Sequence, residues 1–251
     1  MISPAIMIQH ASHDMWRRAN VNTMLKALAP HSSLASRISV VKDIDKSVWH
    51  TYRKCAHEGL YPAGASHVVI LQDDLLLCKD FLPGLNKIIE YRPADIITLF
   101  YVSKHAEEAR ETDRRWIRTA DVWGQAVVWP REPLTGFLQW SASELRDDWP
   151  TCDARATLYI ALQKLTVWAT APSLVQHLRS RNSLIGIQTP QPRIARWFIG
   201  DASALEYDWS RLDFVKAPMV SFYSYAKKCH AEKKAFKNPD KMRKMMLPEA
   251  R

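Results

Sequence analysis

The chain has 251 residues, an apolar fraction of 47% and a formal net charge of +9. That is enough to bury one substantial core, and the charge points to an anionic partner: a nucleotide, nucleic acid or an acidic membrane surface. With 7 glycines, no Ser/Gly-rich stretch and no internal repeat, a flexible-linker, collagen-like or low-complexity architecture is excluded, and no apolar run reaches the roughly 18–20 residues that cross a bilayer.

The opening MISPAIMIQH lacks a basic segment followed by a long apolar one, and Cys55, Cys78, Cys152 and Cys229 form no Cys-x-x-Cys pair. A cytoplasmic protein with reduced thiols is expected. Ala5-Ile6-Met7-Ile8 reads as a strand, His10 to His13 as a loop, and Met15, Trp16, Ala19, Met24, Leu25 and Leu28 recur at helical spacing. A second unit follows. Ile38 to Val41 is strand-like and ends at Asp43, and Val48, Tyr52, Cys55 and Ala56 mark one helix face.

His67-Val68-Val69-Ile70-Leu71 is the most strand-like run, β-branched and apolar on both faces, as a central parallel strand requires. It stops at Gln72-Asp73-Asp74. Asp80-Phe81-Leu82-Pro83 then reads as a capped helix start, with Leu82, Leu85, Ile88 and Ile89 as its buried stripe, and Ile96 to Tyr101 as a fourth strand. Residues 103–119 are charged and patternless, the mark of an exposed loop or lid. Order resumes with a strand over Val122 to Trp129, a helix carrying Pro133 in its first turn, and the acidic segment Arg146-Asp147-Asp148-Trp149-Pro150-Thr151-Cys152-Asp153. A helix bearing Leu158, Ile160, Ala161 and Leu165 follows, then a short strand over Val167 to Ala171, ended by Pro172. Strands alternating with helices predict an α/β fold, with a mostly parallel sheet covered by helices on both faces.

In such sheets ligands bind beyond the carboxyl ends of the strands, where helix N-termini present unpaired N–H groups. Asp73 and Asp74 stand at such an end. Adjacent carboxylates repel each other unless a cation intervenes, and hard ions such as Mg²⁺ or Mn²⁺ take oxygen ligands and bridge diphosphates. Alternatively, the pair caps a helix or solubilises a turn. The Walker B reading fails, because the chain contains no Gly-x-x-x-x-Gly-Lys-Ser/Thr loop.

The run Val68 to Leu75 followed by Cys78-Lys79-Asp80-Phe81 resembles the Asp-x-Asp (DXD) metal-binding region of GT-A glycosyltransferases. Gln72 departs from the acid often found at the first position. Pro172-Ser173-Leu174-Val175-Gln176-His177 and Ser183-Leu184-Ile185-Gly186 resemble a stretch of small glycosyltransferase-like proteins, many of them encoded by bacteriophages. The resemblance implies a single GT-A (Rossmann-like) domain over 1–200, its nucleotide-binding half 1–102 and its acceptor and catalytic half 120–200, with a basic extension over 201–251.

It implies a transferase using a nucleotide-sugar donor, a UDP-sugar, with Mn²⁺ or Mg²⁺. Asp74 and His177 are then expected at the metal. His10, Ser12, Arg17, Asp43, Arg53, Gln72 and Asp73 are expected around the nucleotide, and Trp123 and Gly124 along the donor-sugar and acceptor pocket. A base must deprotonate the acceptor hydroxyl. Asp147, Asp148 and Asp153 compete for that role, and the resemblance favours Asp148.

Arg179, Arg181, Arg193 and Arg196 interleave with Trp197 and Phe198, and lysines crowd the C-terminus from Lys227 to Lys244. Such a surface suits a phosphate backbone and an unpaired base. DNA carrying 5-hydroxymethylpyrimidines, as in phage DNA modification, is therefore the leading acceptor. A surface glycan or small molecule is the alternative acceptor. A non-catalytic nucleic-acid-binding protein is the alternative class.

Overall fold

The computed structural model describes residues 2–61, 64–149, 151–178, 193–219, 224–226 and 235–238. Strands β1 (Ala5–His10), β2 (Arg37–Lys42) and β3 (His67–Gln72) are followed by β4 (Leu75–Leu77), β5 (Ile96–Thr98), β6 (Trp116–Thr119) and β7 (Ala126–Pro130). The last three strands are β8 (Val167–Thr170), β9 (Val175–His177) and β10 (Phe214–Lys216). The helices are α1 (Met15–Leu28), α2 (Val48–Leu60), α3 (Phe81–Tyr91), α4 (His105–Glu111), α5 (Arg131–Glu144) and α6 (Cys152–Leu162), with 3₁₀ turns at Ala29–Leu34 and Ala204–Glu206.

One sheet runs in the order β10-β6-β8-β5-β7-β3-β1-β2, and a separate antiparallel ribbon joins β4 to β9. Strand alternation sorts the core into two layers. Ile6, Ile8, Val69 and Leu71 face α1 and α3, whose Val21, Met24, Leu28, Leu82, Leu85 and Ile88 complete one layer. Ala5, Met7, Val68 and Ile70 face α2, α5 and α6 through Trp49, Tyr52, Phe137 and Ile160. This is the expected α/β architecture, a mostly parallel sheet with helices on both faces. β3 lies inside it, buried along its apolar run.

Several elements differ from expectation. β6, β7 and β10 run against the other sheet strands, so the sheet is mixed rather than wholly parallel. Residues 103–119 hold α4 and β6, so the segment is not one exposed loop. Ala106 and Ala109 of α4, and Trp116 and Ile117 of β6, are buried. The fourth strand is shorter than the apolar run, ending at Thr98. Beyond it Leu99 donates to the Ala126 carbonyl and accepts from the Leu174 amide, both at 3.0 Å.

Asp80 does not cap α3 through its side chain. It sits in the left-handed region at φ 54°, and its carboxylate accepts the Ser203 hydroxyl instead. The boundary at 200 does not separate a tail from the sheet, since β10 pairs with β6 and Ala204 packs on Gly84 of α3. Ser183 to Gly186, Arg179, Arg181 and the lysines of the C-terminus other than Lys237 lie outside the described residues.

Candidate functional site

The carboxyl ends of β1 and β3 meet the first two turns of α1. Asp14 caps α1, its carboxylate accepting from the amides of Trp16 at 2.9 Å and Arg17 at 3.2 Å. Residues three apart share a helix face, so Arg17 and Asn20 both reach the turn after β3. Asn20 donates to the carbonyls of Asp73 at 2.8 Å and Leu75 at 3.0 Å. The guanidinium fork of Arg17 spans both acids, one nitrogen on Asp73 and the other on Asp74 Oδ2 at 2.7 Å.

Both Asp73 oxygens have partners. Oδ1 meets Arg17, while Oδ2 accepts the Ala11 amide at 2.7 Å and lies 2.8 Å from His10 Nδ1. Asp74 is different. Its Oδ2 is shared by Arg17 and by His177 Nε2 at 3.2 Å, and its Oδ1 is buried with no hydrogen-bond partner. Asp73, Asp74 and Arg17 are 1%, 3% and 8% exposed, so the charges face each other in a medium that screens poorly. Burial alone would raise the Asp74 pKa, but the His177 hydrogen bond and the Arg17 charge hold it below the ordinary carboxylate value. Burial likewise opposes the Arg17 charge, and Asp74 and Asp73 outweigh it, raising that pKa above the usual value.

His177 arrives through the β4–β9 ribbon, in which it pairs with Leu75, and the Leu178 amide donates to the Asp74 carbonyl at 2.8 Å. Phe100 stands beside it, with ring centroids 6.2 Å from His177 and 6.3 Å from Trp123. The Trp123 indole N–H is buried and unpartnered, as is the Gln125 side-chain oxygen. Gln125 bonds the end of β3 through its carbonyl, which accepts the Gln72 amide at 2.8 Å. Gly124 lies against the start of α6, where an added Cβ would come within 3.2 Å of Cys152 Sγ and 3.4 Å of Asp153 Cβ. Asp153 thus stands next to the Trp123–Gly124 turn.

The other expected residues divide. Asp43 joins the edge of the cluster, its amide donating to the His10 carbonyl at 2.7 Å and its carboxylate accepting the Ser47 amide at 3.0 Å. Ser12 contributes its carbonyl to Arg18. Arg53 is engaged elsewhere, on Asp147 at 2.9 Å, and Asp147 also accepts from the Trp49 indole. Asp148 pairs with Arg146 at 2.7 Å, and its side chain is 67% exposed. Neither Asp147 nor Asp148 has a bond to the Asp73–Asp74 cluster. Arg196 pairs with Glu107 at 3.0 Å.

The donor set suits one divalent cation held by few protein ligands. Among the described residues no group of three or more His, Cys, Asp and Glu side chains is arrayed for a metal. Asp74 Oδ1 is a buried oxygen in need of a partner, with an imidazole beside the same carboxylate. An ion of the Mg²⁺ or Mn²⁺ type takes one or two protein ligands and fills its shell with substrate phosphates and water. Asp73 suits such a role less well, because both of its oxygens already have partners.

No protein-family model matches the chain, and no curated protein matches it. Among solved structures it is similar to A197 from STIV, at 10% identity over 72% of this chain and 87% of that one, with a TM-score of 0.45. It is also similar to the catalytic domain of Drosophila β1,4-galactosyltransferase 7 in complex with xylobiose, at 12% identity over 72% of each chain, with a TM-score of 0.40. A mutant of that enzyme in complex with manganese, UDP-Gal and xylobiose gives 12% identity over 72% of each chain and a TM-score of 0.41.

Proposed function

We propose that this chain is a GT-A type glycosyltransferase, moving a sugar from a nucleotide-sugar donor, a UDP-sugar in the first instance, to a hydroxyl acceptor. The observation that carries this reading is the buried Asp74 at the end of β3, with one oxygen paired to Arg17 and His177 and the other unpartnered. Asp74 Oδ1 and His177 would hold a divalent cation, which when bound neutralises charge developing on a leaving diphosphate.

The remaining work falls to the chain's own groups. Asp73, tied to His10, Ala11 and Arg17, fixes the turn and presents Asp74. His10, Ser12 and Asp43 line the nucleoside end, beyond β1 and β2. Trp123 offers an unpaired indole N–H and an apolar face to the sugar. Asp153, beside Gly124, is the base that takes the acceptor hydroxyl proton as its oxygen attacks the anomeric carbon and the nucleoside diphosphate departs. Asp153 is preferred to Asp148 and Asp147 because those two are engaged with Arg146 and Arg53.

The charge of +9 favours a polyanionic acceptor, and DNA with 5-hydroxymethylpyrimidines is the class to test first. The test is a panel of UDP-sugars with Mn²⁺ or Mg²⁺, incubated with plain and hydroxymethylated DNA and followed by UDP release and nucleoside mass analysis. Metal-dependent UDP release that Asp74→Ala abolishes, with the fold intact, supports the transferase. DNA binding that weakens with salt, with no UDP release from any donor, would favour a non-catalytic nucleic-acid-binding protein.

A further inference from the structure

Two consecutive buried carboxylates already have a cation between them, and it belongs to the protein. Arg17 places one guanidinium nitrogen on Asp73 and the other on Asp74, at 8% exposure, while its Nε is buried without a partner. We infer that Arg17 is a resident competitor for the divalent cation, which keeps the free protein from taking up metal until a nucleoside diphosphate arrives. The inference rests on the metal–nucleotide reading of the Asp74 site.

The charge arithmetic is local. Asp73 and Asp74 carry two negative charges, and the fixed positive charge of Arg17 cancels one of them. A divalent ion approaching Asp74 Oδ1 therefore meets a site of low net charge and is repelled by a guanidinium bound to the other oxygen of the same carboxylate. The diphosphate brings its own negative charge and supplies further oxygen ligands. Metal and nucleotide then assist each other, and by linkage each raises the affinity of the other by the same factor. Without the guanidinium, both carboxylates would seek an external cation, and metal would bind without waiting for nucleotide.

The test reads metal uptake rather than turnover. Mn²⁺ binding to the whole chain is followed by electron paramagnetic resonance, with and without UDP, in wild type, Arg17→Met and Arg17→Gln, and folding is checked by circular dichroism. Wild type is expected to bind Mn²⁺ weakly alone and at least about 10-fold more tightly with UDP. Arg17→Met is expected to bind Mn²⁺ alone at least about 10-fold more tightly than wild type, with most of the dependence on UDP gone.

Should Arg17→Met fail to fold, Arg17→Gln decides. A glutamine keeps an N–H donor for a carboxylate but carries no charge, so it too is expected to bind Mn²⁺ alone more tightly than wild type. If wild type takes up Mn²⁺ with UDP, and no folded variant exceeds it in the absence of UDP, this inference fails while the proposed function stands. Failure of wild type to take up Mn²⁺ even with UDP overturns both.

Discussion

Replacing Asp73 by Asn tests whether this residue organises the site or merely decorates a turn. In the wild type its carboxylate, 1% exposed, is bound by Arg17, His10 and the Ala11 amide. Asparagine keeps one acceptor but presents an NH₂ group to surrounding donors, and it leaves Arg17 with only Asp74. Removing one member of a buried pair costs about 3–5 kcal/mol. With one acceptor retained, a loss of about 3 kcal/mol is expected, which lowers the melting temperature of a domain this size by about 6–12 °C. Urea denaturation at pH 7, with the m-value compared between proteins, is the assay. A loss below about 1 kcal/mol, the scale of an exposed ion pair, would refute the reasoning, because it would mean that the carboxylate is solvated rather than enclosed.

Arg155 is fully buried and donates to the Trp149 and Arg146 carbonyls and the Ser141 hydroxyl, and burial pushes its pKa down to about 10. Arg155→Met is expected to cost about 2–4 kcal/mol and to speed amide exchange over residues 146–149, seen by mass spectrometry. His67 is buried between the Ser66 hydroxyl and the Pro93 carbonyl, and burial holds its pKa below the ordinary 6.5. The folded state therefore favours the neutral ring. Its contribution is complete above pH 6.5 and declines as pH falls below that value, with a slope of at most about 1.4 kcal/mol per pH unit, and His67→Gln should flatten the stability profile there. Asp153→Asn is expected to lower turnover by about 10²–10⁴-fold with UDP–Mn²⁺ binding unchanged, whereas Asp148→Asn should leave turnover near wild type. The opposite ranking would return the base role to Asp148.

Much of this architecture is visible in local pattern. The β-branched run before Gln72 makes β3 a central strand by composition alone, and the spacings of Leu82, Leu85 and Ile88 and of Tyr52, Cys55 and Ala56 reveal α3 and α2. Strand direction is invisible in such patterns, so β7 reads as a parallel member, while β6 falls in the charged segment 103–119 that reads as a loop. The β4–β9 ribbon was hidden for a different reason. Each of its strands has 3 residues, too few for any period to register, and their pairing spans a long stretch of sequence. That ribbon is nonetheless what brings His177 to Asp74.

Arg17 reads from sequence as one of the residues around the nucleotide. Its pairing with Asp73 and Asp74 depends on where α1 docks, although Arg17 and Asn20 three residues apart were the available signal. Asp147 and Asp148 stand out as an acidic pair in sequence, yet each has an arginine partner in space. Asp153 gains its interest only through its contact with Gly124.

Calorimetric titration of UDP into the protein, with and without Mn²⁺, tests the central claim most directly when wild type is compared with Asp74→Asn. The account predicts UDP binding that Mn²⁺ strengthens in wild type and that loses its metal dependence in the folded variant. UDP affinity that is the same with and without divalent metal in wild type, or no UDP binding in either condition, would contradict it.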